Sequence, residues 1–126
     1  MSDAIQHFSD KLNHETDSWD LGHALAVGEN VVVIDVRSRE AYEAEHIPQA
    51  ISLPHREMNA QTTAQFDRGS MYVTYCDGIG CNGSTKGALR MTQLGFHTKE
   101  LIGGLDWWKR DGHPTQLSVV ELQKSS

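Results

Sequence analysis

The sequence predicts an α/β domain built on a mainly parallel sheet. Two observations carry this. Val31-Val-Val-Ile34 and Met71-Tyr-Val-Thr-Tyr75 are short runs of β-branched and aromatic residues, the pattern of strands buried on both faces. Segments of helical spacing, with recognisable start and stop residues, alternate with these runs along the chain. A chain of 126 residues, 38% apolar and 22% charged, matches one globular domain with a single real core.

The elements follow in order. Residues 3–12 place Ile5, Phe8 and Leu12 on one helical stripe. Residues 14–17 read as a break, and Asp17 or Ser18 is suited to cap a helix over 19–27 that stops at Gly28. The strand at 31–34 follows. Ser38 caps a short helix over 39–45, which ends at His46-Ile-Pro48 because Pro48 pushes Ile47 out of helical geometry. Residues 51–53 form a short strand closed by Pro54, and 57–66 read as a loose helix. After the strand at 71–75, a helix over 85–94 is stopped by Gly95, and a strand covers 98–102. Gly103-Gly104 turns into a helix over 105–110, which Gly112-His-Pro114 ends. The whole chain, 1–126, is thus expected to be one domain. It has a helical extension over about 1–17, a core over about 18–114 and a tail, 115–126, that is ordered only in part.

Charge and composition exclude several classes. The net charge is −6, and no basic cluster exceeds two neighbouring residues. A nucleic-acid partner, which requires a basic footprint, is therefore not expected. Small anions are not excluded, because a local loop can bind them within an acidic protein. No run of eighteen apolar residues exists to span a membrane. The opening residues lack the basic start and apolar stretch of a secretory signal, so the expected location is the cytoplasm, with both cysteines reduced at rest.

Cys76 is the candidate nucleophile. It ends the apolar run at 71–75 and is followed by Asp77-Gly-Ile-Gly-Cys-Asn-Gly83, with Ser84 leading into the next helix. A thiol at a strand–loop–helix junction meets backbone N–H groups and a helix N-terminus, which favour a thiolate and can cradle an anion. Asp77, Gly78, Ile79, Gly80, Cys81, Asn82, Gly83 and Ser84 form the expected anion-binding loop, with Gly78, Gly80 and Gly83 supplying positive-φ positions. On this reading Cys76 attacks a donor's outer sulfur, the loop stabilises the resulting persulfide, and an acceptor thiolate removes the outer sulfur. A small buried thiol at a strand end is the plainer alternative.

Three segments carry a family resemblance. They are Asp35-Val-Arg37 with Glu40, Tyr42, Glu43, His46-Ile-Pro-Gln-Ala50 and Ser52-Leu-Pro54; Tyr75-Cys76 with its glycine-rich loop; and Gly103-Gly-Leu-Asp-Trp107 with Gly112-His-Pro114. In this order and spacing the chain resembles the rhodanese-like domains of the sulfurtransferase superfamily, over roughly residues 31–114. Its Cys-x-Gly-x-x-Cys-Asn-Gly loop is similar to that of a single-domain subgroup. The resemblance implies a five-stranded, mainly parallel sheet with helices on both faces, Cys76 as the sulfur-carrying thiol, and a small sulfur donor with a thiol or protein acceptor. It implies no cofactor.

The chain departs from the family at one point. Family loops commonly carry Arg five residues after the cysteine, where this chain has Cys81, and related phosphatases carry Arg six residues after it, where this chain has Asn82. With no cation between Cys76 and Lys86, thiosulfate is expected to be a weaker donor than polysulfide. Cys81 is open to two roles, a resolving thiol that releases sulfide and leaves a disulfide or a passive cap; a zinc ligand with His46 or His55 is a poor match, because there is no second close cysteine pair, and no metal is expected. Asp35 is expected to support the loop by accepting its hydrogen bonds. Arg37 is expected either to pair with Glu40 or Glu43 or to supply the missing cation, and Lys86 either to steer an anion or to stay solvated. His46 should bond backbone near its turn, with Trp107 and Trp108 in core and rim. Two other functions remain open. One is a thiol redox or metalloid-handling protein using Cys76 with Cys81. The other is a non-catalytic interaction module, against which the intact Cys76 argues.

Overall fold

The computed structural model describes residues 2–118. Its strands are β1 (Glu15–Thr16), β2 (Val31–Asp35), β3 (Ile51–Ser52), β4 (Met71–Tyr75) and β5 (His97–Leu101), and its helices are α1 (Ser2–His14), α2 (Ser18–Ala26), α3 (Arg39–Ala44), α4 (Gly83–Gln93) and α5 (Gly104–Arg110). The strands form one five-stranded sheet in the order β1-β5-β4-β2-β3, and every pairing is parallel. The expected fold class is therefore the observed one. The tail expected from residue 115 lies mostly, from 119, outside the described residues, as does Met1.

Alternation along the central strands splits the core into two layers. Val33 of β2 and Val73 and Tyr75 of β4 pack with Leu21 of α2 and Leu105 and Trp108 of α5. Ile34 and Tyr72 face the other way, with Met91 of α4, Met58 and Phe96. Helices thus cover both faces, and the two central strands are buried as their sequences predict.

Local chemistry explains the boundaries. Asp17 caps α2 by accepting from Asp20 N at 2.8 Å, and Ser38 caps α3 by accepting from Ala41 N at 3.1 Å. Two expectations are corrected. The break at 14–17 contains β1, a two-residue edge strand that pairs Glu15 with Glu100 and Thr16 with Leu101; so short a strand leaves no alternation to read. The loose helix over 57–66 is absent. A single 3₁₀ turn covers His55–Glu57, and turns follow it. Asn59 Oδ1 accepts from the N–H groups of Gln61 and Thr62, and Thr62 Oγ1 donates to Glu57 O at 2.7 Å. These polar side chains occupy the backbone groups that a helix would use.

One buried cluster joins the carboxyl ends of the strands. Asp35, at the end of β2, has no exposed surface. Its carboxylate accepts from Arg37 N, Nε and Nη2 and from the Tyr75 hydroxyl, the last at 2.7 Å. Arg37 Nη2 also donates to Glu45 O at 2.6 Å and Ala41 O at 3.3 Å, closing the end of α3. Tyr75 OH accepts from Ile47 N. Burial, with Asp35 next to it, pushes the Tyr75 phenol far above its ordinary range, so the hydroxyl remains a donor.

Removing one member of a buried ion pair strands the other charge, at a cost of about 3–5 kcal/mol. Asp35→Ala should therefore shift the urea unfolding midpoint strongly. Lys109→Ala breaks an exposed pair with Glu45 and should change stability by at most about 1 kcal/mol. Equal midpoints for the two variants would contradict this account of the cluster.

Candidate functional site

Cys76 follows β4 directly, at the edge where a parallel sheet builds its sites. It is only 5% exposed, and Cys81 is half-buried. The two sulfurs are joined in a disulfide, with Cα atoms 6.2 Å apart. The expectation of two resting thiols is thus replaced by an oxidised pair. A turn brings Cys81 back onto Cys76, with Cys81 N donating to Gly78 O at 3.1 Å. α4 then starts at Gly83, two residues earlier than the sequence suggests, with Asn82 as its N-cap. Gly83 N donates to Cys81 Sγ at 3.4 Å.

The loop is braced by α5. Leu105 N donates to Cys76 O at 3.0 Å and Asp106 N to Asp77 O at 2.8 Å. This approach requires Gly104: its φ is +57°, and a Cβ there would stand 2.4 Å from Cys76 O. The expected role of the loop glycines is corrected, since none of Gly78, Gly80 and Gly83 has positive φ. Gly83 matters for space instead, because an added Cβ would lie 3.1 Å from Cys76 Sγ and 3.4 Å from Cys81 Sγ. At Gly80 an added Cβ would meet nothing within 4 Å. The backbone N–H groups of Asp77, Gly78, Ile79, Gly80 and Asn82 make no backbone hydrogen bond among the described residues. The Ser84 hydroxyl is committed to Glu100 Oε2 at 2.7 Å.

Cys76 and Cys81 line a cleft of about 650 Å³ whose charged groups are Arg37, Arg39 and Arg56 and the carboxylates of Glu40, Glu57 and Asp77, with His55 and Gly83 also at its wall. Its cations come from outside the loop, which itself carries none, as the sequence reads. Arg37 Nη1 bonds the exposed Asp77 at 3.0 Å, tying the loop to the buried cluster. Burial disfavours the Arg37 charge, but Asp35 and then Asp77 outweigh it and hold the guanidinium fully protonated. Arg39 pairs with Glu57 at 2.6 Å. Arg56 is exposed and makes no salt bridge among the described residues. His55 is held below the ordinary imidazole range by burial first and then by Lys86, Arg56 and Arg90. Its surroundings are thus electropositive.

Other expected residues are placed as follows. Asp35 accepts no hydrogen bond from the loop backbone; it reaches the loop only through Arg37 and Asp77. Arg37 pairs with neither Glu40 nor Glu43. Lys86 is exposed on α4 and does not line the cleft. His46 is buried, stacks on Tyr42 and has Nδ1 2.7 Å from Tyr42 O, outside the cleft. Trp108 is core, and Trp107 borders an apolar pocket of about 330 Å³ with Ile79 and Ile102. Arg39 and Arg56 escaped the sequence reading, and His55 was considered only as a zinc ligand. A signal did exist: they follow β2, the strand beside β4, and β3, the strand beyond it, whose carboxyl ends lie on the same edge of the sheet.

Comparison with known proteins shows the family and the fold. A family model described as the rhodanese-like domain matches residues 20–111. The chain is 33% identical over 88 residues to the thiosulfate sulfurtransferase GlpE of Coxiella burnetii, covering 68% of this chain and 78% of that protein. It is also 33% identical over 84 residues to an HTH-type transcriptional regulator of Mycobacterium tuberculosis, covering 67% of this chain but only 37% of the regulator. The crystal structure of the BH2092 protein from Bacillus halodurans superposes with a TM-score of 0.88 at 42% identity, over 92% of this chain and 85% of that one. The chain belongs to the rhodanese-like domain family.

The two loop glycines make opposite predictions. Gly83→Ala forces a methyl group against both sulfurs and should destabilise the oxidised chain by about 1–3 kcal/mol. Gly80→Ala should stay within about 0.5 kcal/mol, and even Gly80→Val should fold. Chemical denaturation of both variants checks this, and a larger loss at Gly80 than at Gly83 would refute the packing argument.

Proposed function

We propose that this member of the rhodanese-like family is a sulfurtransferase in which Cys76, once reduced, carries sulfane sulfur from a small anionic donor to a thiol acceptor. The observation that carries the reading is the convergence on Cys76 of cations from the ends of β2 and β3. An acidic protein thereby offers a donor anion local cationic groups, among them Arg56, which makes no salt bridge among the described residues.

The step with thiosulfate is written as follows. The Cys76 thiolate attacks the outer sulfur, a Cys76 S–S bond forms, the donor's S–S bond breaks, and sulfite leaves with the bonding pair. The product, Cys76–S–S⁻, keeps one negative charge beside the loop N–H groups that lack backbone partners. An acceptor thiolate, on a small molecule or a protein, then attacks the outer sulfur and restores the Cys76 thiolate. Arg56 and Arg39 are suited to hold the donor's oxygens, while Arg37 holds Asp77 and so the shape of the loop. Thiosulfate is accordingly proposed as a competent donor, against the expectation drawn from the loop alone. No cofactor, nucleic acid or membrane enters the proposal, and a cytoplasmic setting suits a cysteine that must be reduced to act.

Steady-state sulfur transfer from thiosulfate, with the chain kept reduced, tests this. Cys76→Ser should fall to the uncatalysed background. Arg56→Ala should raise KM for thiosulfate about tenfold or more with little change in kcat, because a hydrogen bond to a charged group contributes roughly 1.5–3 kcal/mol. Retained turnover in Cys76→Ser would refute the proposal.

A further inference from the structure

We infer that Cys81 is a resolving thiol, which turns the loaded protein into a sulfide-releasing persulfide reductase in the absence of an acceptor. The inference rests on the sulfurtransferase reading, because it starts from the Cys76 persulfide.

Three observations bring Cys81 to this task. First, its sulfur is in bonding contact with Cys76 Sγ, and the Cα separation of 6.2 Å lies within the range a disulfide spans without backbone movement. Second, the loop is built to return Cys81 to that place. The bond from Cys81 N to Gly78 O closes the turn, and the missing side chain at Gly83 leaves room for both sulfurs. Third, Gly83 N–H at the start of α4 donates to Cys81 Sγ. That donor and the helix N-terminus support a thiolate on Cys81, the form that attacks. A merely space-filling residue at this position would need none of the three.

The reaction balances without an unnamed partner. The Cys81 thiol gives its proton to the outer sulfur of Cys76–S–S⁻, and the resulting Cys81 thiolate attacks the inner sulfur of Cys76–S–SH. A Cys76–Cys81 bond forms, the bond to the outer sulfur breaks, and that sulfur leaves with the electron pair as hydrosulfide. The sulfane sulfur is reduced by two electrons, and the two thiols are oxidised to a disulfide. Hydrosulfide is the better leaving group, since hydrogen sulfide is more acidic than a cysteine thiol. Starting from the dithiol form, one thiosulfate thus yields one sulfite, one hydrogen sulfide and the intramolecular disulfide, which is the state of the described structure. An external dithiol reductant closes the cycle. It attacks at Cys81, because Cys81 is half-buried whereas Cys76 is almost fully covered. The mixed disulfide forms on Cys81 and frees the Cys76 thiolate for the next donor.

A single-turnover experiment tests this. The full chain is reduced, freed of reductant under anaerobic conditions and given one equivalent of thiosulfate. Sulfite, sulfide and intact mass are then measured. The wild type should release sulfite and sulfide in equal amounts, close to one per chain, and end two hydrogens lighter than the dithiol form. Cys81→Ser should release sulfite alone and keep one added sulfur. A wild type that retains the added sulfur and releases no sulfide would overturn the inference while leaving the sulfurtransferase reading intact. A wild type that releases no sulfite would overturn both. Because the wild-type arm decides by itself, the test does not depend on how well the variant folds.

Discussion

The site depends on the buried pairing of Asp35 with Arg37. These side chains are 0% and 7% exposed, so two charges are held away from water, and neither can be left without its partner. The cost is met by saturation: the carboxylate accepts from a backbone N–H, the guanidinium and a phenol, and the guanidinium also serves two carbonyls at the end of α3. Arg37 then reaches out of this cluster to Asp77. The first loop residue after Cys76 is thereby referred to the end of the neighbouring strand. The position of Cys76 is set by β4, by α5 and by this cluster together, not by the loop's own flexibility.

The same arrangement bears on how an acidic chain could receive the anionic donor proposed above. Net charge governs long-range behaviour, but the field within a cleft is set by the few groups that line it. Here Arg39 and Arg56 come from segments that leave β2 and β3, Glu57 engages Arg39 and Glu40 also borders the cleft, and the loop itself contributes uncharged N–H groups and one carboxylate that Arg37 already engages. A loop without an arginine therefore does not make a site without cations. The cations of a parallel sheet can be distributed over the ends of adjacent strands, which meet in space although they are far apart in sequence.

This distribution explains what was legible in the sequence. The strands at 31–35 and 71–75 were evident because burial on both faces leaves a continuous apolar signature. Asp17 and Ser38 were evident as caps because capping is local chemistry. The place of Cys76 at the end of its strand followed from that strand, and the family resemblance added the strand count. β1 was missed because two residues at a sheet edge carry no pattern, and the turns after Met58 were read as helix because Asn59 and Thr62 act through side-chain bonds that helical spacing does not register. The loop glycines were read for conformational freedom, whereas Gly83 is required for the space it leaves beside sulfur and Gly104 for the closeness of α5. Arg39, His55 and Arg56 share a cleft with Cys76 through sheet order, of which the sequence displays only that these residues follow strand segments.

The central claim is that Cys76 is the atom on which transferred sulfur first resides. The most direct measurement uses thiosulfate labelled in its outer sulfur with a heavy isotope. The reduced Cys81→Ser chain is incubated with it, and the modified residue is located by peptide mass spectrometry. The account predicts the label on Cys76 alone, as a persulfide that an added thiol removes together with the isotope. Label on any other residue, or no labelled peptide although sulfite is released, would contradict it.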